Sequence, residues 1–110
     1  MNAAVVGSGA WGTALATVLC KNGISTRLWC RRESSAAAIR ETGENPRLPG
    51  VSLPDTLEIT ADPHAISGCE LVVFATPSFP IRQVCQTVAP YLDKSAVAVS
   101  VTKGIESGTL

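Results

Sequence analysis

Three glycines close to the N-terminus, Gly7, Gly9 and Gly12, follow a short apolar run with the spacing Gly-x-Gly-x-x-Gly. In a dinucleotide-binding fold the first glycine permits a tight turn after a strand, the second lets backbone approach a pyrophosphate, and the third lets the next helix pack closely. The phosphate then lies on the helix N-terminus, where unpaired N–H groups and the helix dipole favour an anion. The candidate cofactor-binding residues of this turn are Gly7, Ser8, Gly9, Ala10, Trp11 and Gly12.

Two arginines, Arg31 and Arg32, stand about twenty residues after the glycine turn, where a dinucleotide fold meets the adenosine ribose. An NAD-preferring site usually has an Asp or Glu there, which accepts a hydrogen bond from the 2′-hydroxyl. This chain has Cys30, Arg31 and Arg32, followed by Glu33. Because two guanidinium groups can bind a 2′-phosphate, the local charge favours NADP over NAD as the cofactor. The alternative is an exposed basic pair at a helix start, with Arg32 paired to a neighbouring carboxylate.

Two further segments follow predicted strands and are expected to face the same ligand. Thr76 and Pro77 come at the end of a strongly apolar run, and ligands of parallel sheets lie beyond the carboxyl ends of the strands. Lys103 follows the last predicted strand. An ammonium group there can attract a phosphate or polarise a carbonyl oxygen, and the alternative is a solvated lysine in a turn.

The apolar patterning predicts the elements that would position these residues. Strands are expected at 2–6, 24–30, 57–60, 70–76 and 96–101, helices at 11–22, 34–41 and 79–92, a brief helical turn at 62–67 and an irregular loop at 42–54. Regular alternation of strand and helix predicts an α/β fold, a Rossmann-type doubly wound and mainly parallel sheet. Asp62 is a possible N-cap of the helical turn. A loop as long as 42–54 is more often functional than idle.

Composition and charge argue against other classes of function. Nine basic and nine acidic side chains give a formal net charge of zero, which does not suggest a nucleic-acid partner. No apolar stretch reaches the length of a membrane span and no secretory signal is present, so we expect a soluble, cytoplasmic protein. Cys20, Cys30, Cys69 and Cys85 are far apart, and His64 is the single histidine. No metal site is predicted, and the cysteines are expected to be small buried residues in a reducing compartment.

Four stretches of the chain carry a more specific pattern than the glycines alone. They are Gly-Ser-Gly-Ala-Trp-Gly-Thr-Ala-Leu-Ala at 7–16, Asn-Pro-Arg-Leu-Pro-Gly-Val at 45–51, Ala-Thr-Pro-Ser at 75–78 and Thr-Lys-Gly-Ile-Glu at 102–106. Together they resemble the bacterial-type NAD(P)-dependent glycerol-3-phosphate dehydrogenases. The resemblance covers all 110 residues but only the N-terminal cofactor domain of much longer proteins. We therefore expect a truncated chain that lacks a helical C-terminal substrate domain.

The resemblance implies an activity and roles for several residues. The reaction would be reversible hydride transfer between a nicotinamide and carbon 2 of the substrate, reducing dihydroxyacetone phosphate to sn-glycerol 3-phosphate for phospholipid synthesis, with a homodimer possible at full length. Trp11, Arg31 and Arg32 would bind the nucleotide, and Lys103 would contact both cofactor and substrate. The family's general acid/base lysine lies in the missing domain, so these 110 residues alone are expected to be inactive. Arg47 departs from the family pattern, because many relatives have an aromatic or other apolar residue there.

Two other functions fit the same residues. One is a related two-domain NAD(P)-dependent dehydrogenase acting on another hydroxy acid or sugar acid, against which the segments 48–50 and 102–104 argue. The other is a non-catalytic nucleotide-sensing module, which would keep the glycine turn and would not need Lys103.

Overall fold

The first strand, β1 (Asn2–Val6), lies at the centre of a parallel sheet in the computed structural model, which describes residues 1–75 and 81–101. The other strands are β2 (Ser25–Trp29), β3 (Glu58–Thr60), β4 (Leu71–Phe74) and β5 (Val97–Ser100), in the spatial order β3-β2-β1-β4-β5. Every adjacent pair is parallel. The order reverses beside β1, which has β2 on one side and β4 on the other. The predicted α/β, doubly wound parallel sheet is confirmed.

The helices cover both faces of this sheet. They are α1 (Ala10–Lys21), α2 (Glu33–Thr42) and α3 (Ile81–Val88), with 3₁₀ turns at Pro63–Ile66 and Ala89–Tyr91. Alternate residues of β1 enter different cores, as a strand's period of two requires. Val5 packs in the cluster that contains residues of α1 and α2, whereas Val6 packs in the cluster with α3 and the first 3₁₀ turn. Both valines are fully buried, as expected for a central parallel strand.

The observed elements differ from the predicted ones mainly at their ends. The helical turn expected at 62–67 is the 3₁₀ turn, and the predicted N-cap is confirmed, since the Asp62 carboxylate accepts the His64 N–H at 3.0 Å. The helix expected at 79–92 is α3 followed by the second 3₁₀ turn, which contains Pro90. Residues 76–80 and 102–110 lie outside the described residues. The predictions for Thr76, Pro77 and Lys103 therefore stay predictions.

Two further features of the described residues concern the membrane and metal sites. Among residues 1–75 and 81–101, no helix is long and apolar enough to cross a lipid bilayer. The same part of the chain holds no cluster of His, Cys, Asp and Glu suited to a metal ion. All four cysteines are free thiols, with Cys30 and Cys69 buried.

The three glycines of the turn have three different structural roles. Gly7 has a φ of 124°, which L side chains rarely adopt. A Cβ atom on Gly12 would collide with the carbonyl oxygen of Gly7 and lie 3.2 Å from the Cβ of Ala75. Gly9 has an ordinary φ of −72°, and among the described residues other than its two chain neighbours no atom lies within 4 Å of a Cβ placed there. Gly7 and Gly12 are thus required by the fold, whereas Gly9 faces open space.

This difference predicts opposite effects of two small substitutions on stability. Gly12→Ala should lower the free energy of unfolding by about 1–3 kcal/mol, because the added methyl group overpacks the contact with Gly7. Gly9→Ser should leave stability nearly unchanged, since serine is a preferred N-cap residue and the space is open. Urea denaturation of both variants followed by circular dichroism tests this, and equal stabilities would contradict it.

Candidate dinucleotide-binding site

A cleft of about 780 Å³ lies beyond the carboxyl ends of β1 and β2. The glycine turn, the start of α2 and the loop after α2 form most of its lining, and Val84 of α3 contributes as well. A point where the strand order of a parallel sheet reverses is the usual place for a ligand in such folds. The predicted binding residues that line this cleft are Gly7, Ser8, Gly9, Ala10, Trp11, Arg31 and Arg32. The structure therefore brings the glycine turn and the arginine pair together in one cleft, although about twenty residues separate them in the sequence.

The N-terminus of α1 presents backbone N–H groups at the cleft that have no acceptor among residues 1–75 and 81–101. The first bond into the helix runs from the Thr13 N–H to the Gly9 carbonyl at 3.0 Å, so the N–H groups of residues 10–12 have no acceptor within the helix. The N-cap residue Gly9 provides no side-chain acceptor, and the first turn contains no acidic residue. The positive end of the helix dipole is therefore available to an external anion.

Three arginine side chains make the cleft electropositive. Arg31, Arg32 and Arg47 line it, and no Asp or Glu does so among the described residues. Glu33 stands next to this group in the sequence, but its carboxylate binds Arg40 at 2.6 Å. Arg40 also donates to the carbonyl of Ile59 at 2.8 Å, which holds the pair against β3. The neighbouring carboxylate is thus engaged by Arg40 and not by Arg32.

Arg31 is bound by a residue of α3. Its Nη2 donates to Oε1 of Gln83 at 3.0 Å. One donor of the guanidinium is used in this bond, and the planar fork has further N–H groups for a phosphate. Trp11 also lines the cleft and is 54% exposed, so it offers a large aromatic surface to a bound molecule.

Cys30 occupies the position after β2 where an NAD-preferring site would have an acid. The side chain is fully buried, and its N–H donates to the carbonyl of Thr60 at 2.7 Å. Burial raises the pKa of the Cys30 thiol, and a hydrogen bond with Ser8 and the charge of Arg40 lower it to a smaller extent. An uncharged, buried thiol cannot act as the carboxylate that binds a ribose 2′-hydroxyl.

Asn45 also lines the cleft, although it was not among the binding residues predicted from the sequence. The residue is 3% exposed, and its side-chain amide contacts the glycine turn. Nδ2 donates to the carbonyl oxygen of Ser8 at 2.8 Å and to Oγ1 of Thr13 at 2.7 Å. Oδ1 accepts the N–H of Arg47 at 3.0 Å. Two signals in the sequence pointed to this segment, the long loop 42–54 and the stretch 45–51 that begins at Asn45, but neither assigned a role to the Asn45 side chain.

His64 lies apart from the cleft, on the surface of the protein. It is exposed on the 3₁₀ turn, where Nδ1 is 2.9 Å from Oδ1 of Asp62 and the ring contacts Tyr91. Two hydrogen bonds from His64 lower the pKa of the Asp62 carboxyl. This arrangement caps a turn and does not reach the site.

Comparisons with known proteins agree with this geometry. Residues 2–110 match the family described as the NAD-dependent glycerol-3-phosphate dehydrogenase N-terminus. A glycerol-3-phosphate dehydrogenase (NAD(P)+) of Moorella thermoacetica is 47% identical over 108 residues, which cover 96% of this chain and 32% of that protein. The chain thus spans about a third of the length of the curated relatives that it matches.

Solved structures show the same arrangement of elements. The glycerol-3-phosphate dehydrogenase of Coxiella burnetii superimposes with a TM-score of 0.85 at 31% identity, over 93% of this chain and 32% of that one. A ketopantoate reductase from Ralstonia eutropha gives a TM-score of 0.76 at 27% identity, over 96% of this chain and 35% of that one. The fold is therefore shared by enzymes with different substrates.

The buried thiols of Cys30 and Cys69 predict a loss of stability at alkaline pH. Burial raises the pKa of both above the usual thiol value of 9.0. Between that value and the higher pKa of the folded state, the unfolded chain loses the thiol protons first, so the free energy of unfolding falls as pH rises. The contribution is fully present below about pH 9 and decreases above it.

Urea denaturation at a series of pH values from 8 to 11 measures this slope. In Cys30→Ala the slope should be shallower than in the wild type, whatever the change in absolute stability. Identical slopes in the two proteins would contradict the assignment.

Proposed function

The chain belongs to the family of NAD-dependent glycerol-3-phosphate dehydrogenase N-terminal domains, and we propose that it is the cofactor-binding portion of such an enzyme. The enzyme would reduce dihydroxyacetone phosphate reversibly to sn-glycerol 3-phosphate with NAD(P)H, in glycerophospholipid synthesis. The observation that carries this proposal is the open, uncapped N-terminus of α1 at an arginine-lined cleft. Residues 1–110 would form part of a Rossmann domain, and a C-terminal domain would complete the substrate pocket.

The residues present fit a dinucleotide. The pyrophosphate would bind the free N–H groups of residues 10–12, in the open space in front of Gly9. The exposed ring of Trp11 would contact the nucleotide. Bound NAD(P)H supplies the hydride, so this part of the chain has to bind and orient the cofactor and exclude competing contacts.

The proposed preference for NADP depends on the charges near the end of β2. Arg31 and Arg32 would bind a 2′-phosphate, and the buried Cys30 thiol offers no carboxylate to a 2′-hydroxyl. Since Glu33 binds Arg40, it does not neutralise this group. The local charge is thus suited to a phosphorylated ribose.

Three residues outside the described part of the chain belong to the same proposal. Thr76 and Pro77 follow β4 and would face the dinucleotide. Lys103 comes three residues after the end of β5 and would contact both the cofactor and the phosphate of the substrate. We further propose that the intact protein is cytoplasmic, and that it can form a homodimer.

A second candidate function comes from the likeness to ketopantoate reductase. The chain could belong to a dehydrogenase that acts on another small keto or hydroxy acid, because the fold accommodates that activity as well. A nucleotide sensor would bind the same cofactor without turnover. Family membership favours the glycerol-3-phosphate reaction, and substrate assays separate the three functions.

Substitution of Gly9 by a residue with a side chain should weaken cofactor binding without unfolding the protein. In Gly9→Val the side chain would occupy the space assigned to the pyrophosphate, so affinity for NADPH should fall by more than about tenfold. Gly9→Ala should show a smaller loss, because its side chain is a single methyl group. Fluorescence titration, with Trp11 and Trp29 in the cleft as probes, measures both affinities. Unchanged affinity in Gly9→Val would contradict the proposed position of the pyrophosphate.

The reaction is tested with dihydroxyacetone phosphate and the protein at its natural length. Loss of NADPH and NADH is followed separately, with ketopantoate as the competing substrate. We expect dihydroxyacetone phosphate to oxidise NADPH. If neither NADPH nor NADH is oxidised, the function is ruled out.

Arg31→Ala and Arg32→Ala should each lower kcat/KM for NADPH roughly tenfold and affect kcat/KM for NADH less. Lys21→Ala, which removes a positive charge at the far end of α1, is the control. A clear preference of the wild type for NADH would contradict the role of the two arginines.

A further inference from the structure

The peptide group between Ser8 and Gly9 is anchored to the protein from two sides. The carbonyl oxygen of Ser8 accepts hydrogen bonds from Nδ2 of Asn45 at 2.8 Å and from Oγ1 of Thr13 at 3.3 Å. The second Nδ2 hydrogen of Asn45 is available for Oγ1 of Thr13, 2.7 Å away. Asn45 and Thr13 are 3% and 0% exposed, so this triangle of hydrogen bonds is shielded from water.

Asn45 is itself held firmly by its own loop. Its Oδ1 accepts the N–H of Arg47, and its carbonyl oxygen accepts the N–H of Leu48 at 2.8 Å. The loop is tied to the end of α2 by a bond from the Leu53 N–H to the Gly43 carbonyl at 2.9 Å. Every donor and the acceptor of the Asn45 side chain therefore have a partner, and the amide cannot rotate without losing all three bonds.

The anchored carbonyl determines where the adjacent N–H group points. The structure has no cis peptide bond among the described residues, and in a trans peptide the carbonyl and the N–H lie on opposite sides. Because the Ser8 carbonyl points towards Asn45 and Thr13, the Gly9 N–H points away from them. A rotation of this peptide would instead present the carbonyl oxygen to the anion and repel it.

The glycine after Ser8 makes such a rotation easy. Turning this peptide changes ψ of Ser8 and φ of Gly9, and because Gly9 has no Cβ atom, steric exclusion restrains its φ less than that of any other residue type. The glycine that lets the pyrophosphate approach thus also deprives the turn of its own restraint. Restraint has to come from outside the turn, and Asn45 and Thr13 provide it.

From this geometry we infer that Asn45, acting with Thr13, is a positioning residue for dinucleotide binding. It keeps the Ser8 carbonyl turned away from the pyrophosphate and the donors of the glycine turn facing it. The inference rests on the proposed function, because it takes the anion to be the pyrophosphate of NAD(P)H. Without the anchor, only a fraction of the protein molecules have the glycine turn in the conformation that binds the pyrophosphate. The apparent affinity for the dinucleotide falls in proportion to that fraction.

Two pairs of matched variants test the anchor. Asn45→Ala removes all of its side-chain bonds, and Asn22→Ala removes an asparagine whose Nδ2 donates to the Val18 carbonyl at 2.8 Å, at the other end of α1. Thr13→Val removes the hydroxyl in the triangle. Thr17→Val removes a buried hydroxyl one turn along, which donates to the Thr13 carbonyl at 2.9 Å. All four variants are neutral, so none changes the charge near the cleft.

The ligands are NADPH, which contains the pyrophosphate, and 2′-AMP, which contains the adenosine 2′-phosphate but no pyrophosphate. Asn45→Ala should weaken NADPH binding by about tenfold and Thr13→Val by about threefold, with 2′-AMP binding unchanged. Both control variants should stay within about twofold of the wild type for both ligands. Urea denaturation of each variant confirms that it is folded at the temperature of the titration.

The outcomes separate this inference from the proposed function. A wild type that binds neither NADPH nor NADH would overturn both. A wild type that binds NADPH, with Asn45→Ala binding it equally well, would overturn the positioning role alone. Equal losses of NADPH and 2′-AMP affinity in Asn45→Ala would also overturn it, because they would indicate general damage to the cleft.

Discussion

The close contact of α1 with the end of β1 is the constraint on which the site depends. Gly12 lies directly against the carbonyl of Gly7, so the helix begins immediately above the carboxyl end of the central strand. A side chain at this contact would push the helix axis outward. With the helix so close, its N–H groups are brought to the point where the strand order reverses, and they form a part of the cleft that is built from backbone.

A backbone site of this kind needs a rigid support that its own residues do not supply. The glycines remove side chains from the space of the ligand and also remove steric restraint from the turn. Asn45 compensates through buried hydrogen bonds, which are strong in a shielded environment and costly to leave unmade. The loop that carries it therefore contributes to the site through the shape of the turn as well as through its exposed residues.

Electrostatics of the cleft are local in a chain with no formal net charge. The Glu33 and Arg40 pair is exposed, and such pairs contribute little to stability. Because the Glu33 carboxylate binds Arg40, it does not neutralise the arginines that line the cleft, which are Arg31, Arg32 and Arg47. Together with the helix terminus, these arginines make one end of a balanced molecule attractive to anions.

Local features of the sequence determined the order of strand, glycine turn and helix, the parallel sheet, and the absence of an acid after β2. These are encoded in periodicity, in glycine spacing and in the residue types of short segments, so they can be identified without tertiary contacts. Only the tertiary structure decided that Asn45 supports Ser8, 37 positions away, and that Arg31 is held by Gln83, 52 positions away. The physical reason is that a side-chain hydrogen bond between distant residues has no periodic signature. It exists only once the sheet has brought the two segments to the same edge.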